Sequence, residues 1–317
     1  MGGAGLRGER RERVFGAMEG ADLDVLVLGR RDSIAYATGA RSLWTAGTRP
    51  FGAACVMVRE GRSTHLLSTW DTGVPPEVPF ENLYGITWNP ATMLASLRAI
   101  PGLTDARRLG VDALSPGFVR AIPRLAPAAE LVAADDILRA VRAVKLPAEV
   151  ERIRAASRIA ADGVAAALAA LSDGAERADA LAAAQRAVPT VPSSGLSVEI
   201  TPGMDSVDVG VMVDGYEGGR GRTICLDGDG ARYDAAHRAL VAACRPAVTA
   251  DDLRPAAATW WMVRGNGMGF EPPVFTPDRD APGEIQAGMV LSVEVRVGTW
   301  RRRDVVHVGP DATEVLS

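Results

Sequence analysis

The sequence predicts two domains, an α/β domain over residues 1–143 followed by an α+β domain over residues 144–317. Three observations predict it. Strand-like and helix-like segments alternate through the first part of the chain, a proline-led helix opens after Lys145-Leu146-Pro147, and strand patterns dominate the C-terminal part. A chain of 317 residues, 47% of them hydrophobic, has apolar surface enough for two ordinary cores.

In the first domain, Asp24-Val25-Leu26-Val27-Leu28-Gly29 reads as a short buried strand closed by glycine. Residues 53–58 and 64–68 pair around the turn Glu60-Gly61-Arg62. Leu109-Gly110-Val111-Asp112 is a further strand, and 116–125 a helix, which makes an α/β pattern. The span 70–90, rich in proline and aromatics, reads as an irregular loop. In the second domain Pro147 suits a first helical turn, and Glu149 and Glu151 lie where the helix dipole favours acids. Val150, Ile153, Ser157, Ala160, Val164, Leu168 and Leu171 recur at steps of three and four and form one apolar face. Ser172-Asp173-Gly174 stops that helix. Helices over 175–187 and 233–244 and strands over 208–213, 222–226 and 289–297 complete the α+β reading.

The formal net charge is −4, and Lys145 is the only lysine, so the basic charge is carried by arginine. No basic stripe interleaved with aromatics occurs, which argues against a nucleic-acid partner; Arg301-Arg302-Arg303 reads as a solvated face. Cys55, Cys225 and Cys244 are odd in number and set among apolar neighbours, as reduced buried thiols are. No apolar signal segment opens the chain, and no stretch reaches the roughly 18 apolar residues of a membrane helix. The expectation is a soluble cytoplasmic protein without a membrane partner.

Several stretches carry a resemblance to a known family. They are 144–151 (Val144-Lys145-Leu146-Pro147-Ala148-Glu149-Val150-Glu151), 233–253 with its Arg245-Pro246 turn, and Ile34-Ala35-Tyr36-Ala37-Thr38-Gly39 in the first domain. The most specific is Asp208-Val209-Gly210, then Asp214-Gly215-Tyr216, then Arg222-Thr223. The spacing is similar to that of the pita-bread family of creatinase, prolidase and Xaa-Pro aminopeptidases: an Asp-x-Gly strand, an Asp-Gly-Tyr turn, a second Asp and a Thr-Arg-Thr strand. The resemblance implies a creatinase-like N-terminal domain and a C-terminal domain built on a curved antiparallel sheet covered by helices.

In the peptidases of that family two divalent ions are held by two Asp, one His and two Glu, and a bridging water becomes the nucleophile. Carried over residue by residue, Asp208 keeps the first Asp and Glu294 the first Glu. The second Asp falls on Gly219, the His on Asn266 within Gly265-Asn266-Gly267, and the second Glu on Arg303, beside Asp304. So altered, the resemblance implies no metal and no other cofactor, with the Arg303 guanidinium expected to bridge Asp208 and Glu294. A single weak ion on Asp208, Glu294 and Asp304 is the alternative. His65, His237 and His307 match no catalytic position, and Phe270 runs directly into Glu271-Pro272-Pro273 where the family has a substrate-side His. Before Asp208, where creatinase-like enzymes place another His, stand Ser193, Ser194 and Glu199.

The altered pattern implies a metal-independent creatinase-like enzyme acting on a small amino-acid-like or amide/amidine compound. Its reaction would be that of a hydrolase, or of a lyase or cyclase recruited to specialised metabolism. Asp208, Glu271 and Glu294 are the candidate acid/base groups. Asn266, Arg303, Tyr216 and Arg222 are candidate substrate-binding residues, with Arg222 and Arg296 as the candidate receptors for a substrate carboxylate. Trp44 and Arg49, on the loop 40–51, suit a lid for an anionic, partly apolar small-molecule ligand. In creatinase-like homodimers that loop covers the partner subunit's site. Structural roles compete with each of these: a salt bridge locking Asp208, Glu294 and Arg303, a turn capped by Glu271, a paired or solvated Arg222 or Arg296, a structural Tyr216, a turn that favours Asn266 for its backbone, and a homodimer contact without ligand role for the loop of Trp44 and Arg49. Two other functions stand beside the enzyme: a non-catalytic pita-bread binding protein, and, least in keeping with the residues, a conventional Xaa-Pro metallopeptidase.

Overall fold

A computed structural model of the chain describes residues 3–40, 55–67, 73–85, 89–112, 115–188, 195–201, 206–224, 230–254, 260–279, 281–298 and 300–316. It divides into two compact units, Met1–Val141 and Arg142–Ser317.

In the first unit the elements run α1 (Gly3–Gly20), β1 (Val25–Leu28), α2 (Arg31–Thr38), β2 (Cys55–Val58), β3 (Ser63–Leu67), β4 (Leu83–Tyr84), α3 (Pro90–Arg98), β5 (Arg108–Val111), α4 (Pro116–Leu125), β6 (Glu130–Ala133) and α5 (Asp135–Ala143). The sheet order is β4-β3-β2-β1-β5-β6, with β1, β5 and β6 parallel and the β1-β2-β3 run antiparallel. Every residue of β1 and of β2 is buried, which is why both read as unbroken apolar runs. The turn between β2 and β3 needs left-handed backbone at Gly61 (φ 74°) and Arg62 (φ 48°). Ser115 caps α4 by accepting from the Phe118 amide, and Pro116 takes the first helical position. The loop expected over 70–90 contains, among its described residues, a single turn of 3₁₀ helix (Phe80–Asn82) and the edge strand β4. Helix α1 has no counterpart in the sequence reading. Its buried residues Leu6, Val14, Phe15 and Met18 are spaced for one face, but charged residues and glycines dilute the pattern.

In the second unit the elements are α6 (Pro147–Ser172), α7 (Arg177–Ala187), β7 (Gly195–Thr201), β8 (Ser206–Val213), β9 (Tyr216–Thr223), α8 (Gly230–Ala243), α9 (Ala250–Leu253), β10 (Trp260–Gly267), β11 (Gly269–Phe275), β12 (Val290–Val297), β13 (Trp300–Val308) and β14 (Thr313–Val315). Its sheet runs β11-β10-β12-β13-β9-β8-β7, antiparallel throughout, with β14 beside β13. One side is covered by helices. Val207, Val209 and Val211 pack with Ala160, Val164 and Ala167 of α6 and with α7. Trp261, Val263, Leu291, Val293, Val295 and Val306 pack with Leu240 and Leu253 of α8 and α9. Each such buried Val or Leu side chain contributes about 1.5–3 kcal/mol relative to an exposed one. Helix α6 is long and apolar enough to cross a membrane, and the sheet accounts for its apolar stripe, since Val150, Ile153, Ala156, Ala160 and Val164 are buried.

The strand expected over 222–226 lies earlier, at Tyr216–Thr223. Its glycines hide it in the sequence, and the packing explains them. A Cβ on Gly218 would lie 2.2 Å from the Ala156 carbonyl carbon of α6, so helix and strand touch backbone to backbone.

Candidate active site

Strand parity sets the site. Directly opposed residues of antiparallel strands point to the same side of a sheet. The pairings Glu199↔Asp208, Asp208↔Gly221, Gly221↔Arg303, Arg303↔Glu294 and Glu294↔Met262 therefore draw one row across the sheet, on the face away from the helices. In the adjacent row Arg301 opposes Arg296, and Arg296 opposes Trp260. Thus two strand pairs far apart in sequence, β7 with β8 and β12 with β13, bring three acids and three arginines together.

Arg303 clasps Asp208 with both sides of its fork: Nε donates to Oδ2 at 2.8 Å and Nη2 to Oδ1 at 2.7 Å. Nη2 also donates to the Val209 carbonyl at 3.0 Å. Arg301 lies between the two carboxylates, with Nη2 3.2 Å from Asp208 Oδ2 and Nε 2.8 Å from Glu294 Oε1. From the far side Glu199 approaches Arg301 Nη1 at 3.3 Å. Arg296 donates through Nε to the same Glu294 oxygen at 2.5 Å, and its guanidinium stacks on Trp260 at 4.9 Å from the ring centroid. Burial disfavours the charge on Arg301, but the attraction of Asp208 and Glu294 outweighs it and holds the guanidinium above its ordinary range. The bridge expected from Arg303 is therefore made by Arg301. Arg303 binds Asp208 and lies 3.7 Å from Glu217, and does not bridge to Glu294, because its position on β13 directs it over β9 towards β8.

On the same face Arg264 pairs closely with Glu217, and Asn266, fully buried, donates from Nδ2 to the Glu217 carbonyl at 2.7 Å. The run Arg301-Arg302-Arg303 is not a solvated face. Alternation sends Arg301 and Arg303 to the open side and Arg302 to the helix side, where it meets Asp234 and Asp304.

Parity separates other expected residues from this face. Asp304 is buried on the helix side, bonded to Arg222 Nη2 at 2.6 Å and 3.6 Å from His237 Nε2, so it does not join Asp208 and Glu294 around a common ion. Arg222 also donates to the Gly221 and Arg303 carbonyls at 2.6 and 2.9 Å, which makes it a tie between β9 and β13 rather than a hand for substrate. Burial pushes the Arg222 pKa down. It also pushes Asp304 up, but Arg222 and His237 prevail and hold that carboxyl below its usual range. His237 is pushed down to about 4 by burial. The Tyr216 hydroxyl donates to Glu149 Oε1 at 2.6 Å at the base of α6. Glu271 is buried opposite Gly265, with Oε2 2.6 Å from Lys145 Nζ and Oε1 3.4 Å from Arg142 Nε. Trp44 and Arg49 lie outside the described residues. Reasoning from the sequence named Arg296, beside Arg222, for a substrate carboxylate, and missed Arg301, Arg264 and Glu217 as site residues. The available signal was the polar alternation in Glu294-Val295-Arg296 and Arg301-Arg302-Arg303.

Residues 10–144 match the Creatinase/Prolidase N-terminal domain family. Among curated proteins no sequence matches this chain. Solved structures do. The dipeptidase PepE from Mycobacterium ulcerans is 20% identical, with a TM-score of 0.72 over 100% of this chain and 96% of that one. The prolidase from Pyrococcus horikoshii OT3 is 16% identical, with a TM-score of 0.72 over 97% of each chain. The chain has the pita-bread fold. The N-terminal domain of the FACT complex subunit SPT16 from Cicer arietinum (chickpea) shares it too, at 12% identity and a TM-score of 0.67 over 98% of this chain and 96% of that one. At these identities the likeness is one of fold.

The donor set on the open face of this pita-bread sheet does not fit a pair of divalent ions. Both oxygens of Asp208 and both of Glu294 already lie within 3.3 Å of guanidinium nitrogens. A Cβ on Gly219 would fall 2.6 Å from two Arg303 nitrogens, so the space a side chain would need there is filled by cation. Among the described residues no group of three or more His, Cys, Asp or Glu is placed to hold a metal ion. Two guanidiniums supply the positive charge that the carboxylates require.

Proposed function

We propose that this chain is a metal-independent creatinase-like protein whose open sheet face takes a small molecule, with fixed guanidinium charge at its centre. The observation that carries the reading is the Arg303 fork closed on Asp208, in the space above Gly219. A chelated metal can be lost or exchanged, whereas a guanidinium is covalently held and charged at every physiological pH.

On this reading the site acts by electrostatics more than by proton transfer. The oxygens of Asp208, Glu294 and Glu271 are taken up by guanidinium or ammonium groups, so these carboxylates serve as ion-pair partners. Arg296 offers preorganised N–H groups, with the fixed charge of Arg301 beside it, to negative charge on a bound amino-acid-like, amide or amidine compound, including charge that develops during hydrolysis, elimination or cyclisation. The same saturation of all three carboxylates favours a second reading, a binding protein without catalysis. Turnover decides between the two: product formation from a metabolite that binds supports the enzyme, and binding without turnover supports the module.

Metal independence is tested directly. Purified protein is expected to contain far less than one Mn, Co or Zn per chain, and its thermal midpoint to ignore both chelator and millimolar Mn²⁺. Stoichiometric metal, together with cleavage of Xaa-Pro dipeptides that chelator abolishes, would restore the conventional peptidase.

A further inference from the structure

On the open face of the second sheet, Arg264, Arg301 and Arg303 have their terminal nitrogens engaged. Arg264 reaches Glu217, Arg301 reaches Glu199 and Asp208, and Arg303 reaches Asp208 and the Val209 carbonyl. Arg296 differs. Only its Nε is bonded, to Glu294, and among the described residues its two terminal nitrogens meet no carboxylate or carbonyl. Its side chain is 46% exposed while that of its partner Glu294 is 2% exposed. The outward end is the fork that matches a planar oxyanion with two parallel N–H donors.

Two further features prepare it. The Trp260 ring lies under the guanidinium at 4.9 Å, which restrains the side chain before any ligand arrives. The charge is also unbalanced at this end. Glu294 Oε1 is shared by Arg296 and Arg301, and Asp208 by Arg301 and Arg303, so two carboxylates serve three guanidiniums. The remaining acid, Glu199, lies at the other end of the chain of ion pairs, is 62% exposed, and touches Arg301 alone at 3.3 Å. Across the row three acids balance three arginines, but their placement leaves the Arg296 end positive and puts the Glu199 carboxylate at the opposite end to repel a dianion.

We infer that Arg296, seated on Trp260, is the receptor for the carboxylate of a small monoanionic ligand. The inference rests on the reading of this face as a small-molecule site, and it names the ligand class. The receptor itself is Arg296 of β12 on Trp260 of β10, and carboxylate preference is read apart from metal content, so the two readings fail separately.

The test titrates full-length protein with benzoate, phenylacetate and hexanoate, each beside its neutral amide, and with inorganic phosphate, using calorimetry or saturation-transfer NMR. Saturable binding of at least one carboxylate, in preference to its amide and to phosphate, is expected. Arg296→Gln should weaken that binding at least about tenfold, and Arg296→Lys, which keeps the charge but loses the fork, should fall between. Glu294 keeps Arg301 in both variants, so the thermal midpoint should stay near that of the parent. Should Arg296→Gln fold poorly, Arg296→Lys supplies the comparison. Equal carboxylate affinity in the parent and the variants overturns the assignment. So does a panel in which no carboxylate is preferred to its amide, and phosphate binding tighter than every carboxylate overturns the monoanion class. Metal content, measured on the same samples, reports on the metal-free reading whichever way the titrations turn out.

Discussion

Arg303 and Asp208 form a two-pronged ion pair on the open face, with 7% and 12% of their side chains exposed. Removing one partner of such a pair leaves the other charge buried without compensation. Arg303→Ala is therefore expected to lower unfolding free energy by about 3 kcal/mol, the low end of the usual range because Arg301 still reaches Asp208. Urea denaturation measures it. The double variant Arg303→Met with Asp208→Leu should recover much of the loss, since an apolar pair of similar volume carries no desolvation cost. A double variant as unstable as the single one would show that the pair is not an isolated ionic contact.

Strand β9 shows what a glycine-rich segment does when it is a strand all the same. Gly218 gives way to the α6 backbone, Gly219 to the Arg303 guanidinium, and Gly221 to the Asp208 carboxylate, each within 2.6 Å of where a Cβ would stand. The three glycines that weaken the strand signal are thus the ones that let helix, strand and ion pair come together. At Gly218 the obstacle is main chain, which cannot swing aside. Gly218→Ala should destabilise the second unit by about 3 kcal/mol, the upper part of the range for overpacked cores. Gly85→Ala, where no atom stands within 4 Å of the added carbon, is its control. Equal melting points for the two variants would count against the backbone contact.

Across the whole molecule, burial holds His65, His237 and His307 below their ordinary range, and His237 is the most shifted source of acid sensitivity. Its native pKa of about 4 lies below the ordinary 6.5, so between those values the unfolded chain binds a proton that the native state refuses. Stability then rises with pH through this window and is lost as pH falls from about 6.5 towards 4. One proton gives a slope approaching about 1.4 kcal/mol per pH unit. His237→Gln should flatten the difference in denaturation midpoint between pH 7 and pH 5; an unchanged difference would place the sensitivity in other groups. Asp304 acts lower, since its depressed pKa gives a stabilisation present above about 3.8 and lost as pH falls further.

Much of this was legible in the sequence. Apolar runs, proline-led helix starts and the turn at Glu60-Gly61-Arg62 are local signals, and they placed β1, α4, α6 and β12 within a residue or two. The pairing of Asp208 with Arg303 was legible as well, through the resemblance. Local signals are blind to facing and register. Which side of the sheet a strand residue takes shifts with a one-residue slip, and no sequence pattern says that β13 lies between β9 and β12. The tertiary structure alone decided that Asp304, Arg222 and Tyr216 point into the helix layer. It alone made Arg301 the bridge and left the Arg296 fork open on Trp260. Residue types and spacing are properties of the chain; the side a charge faces, and therefore its partner, is a property of the assembled sheet.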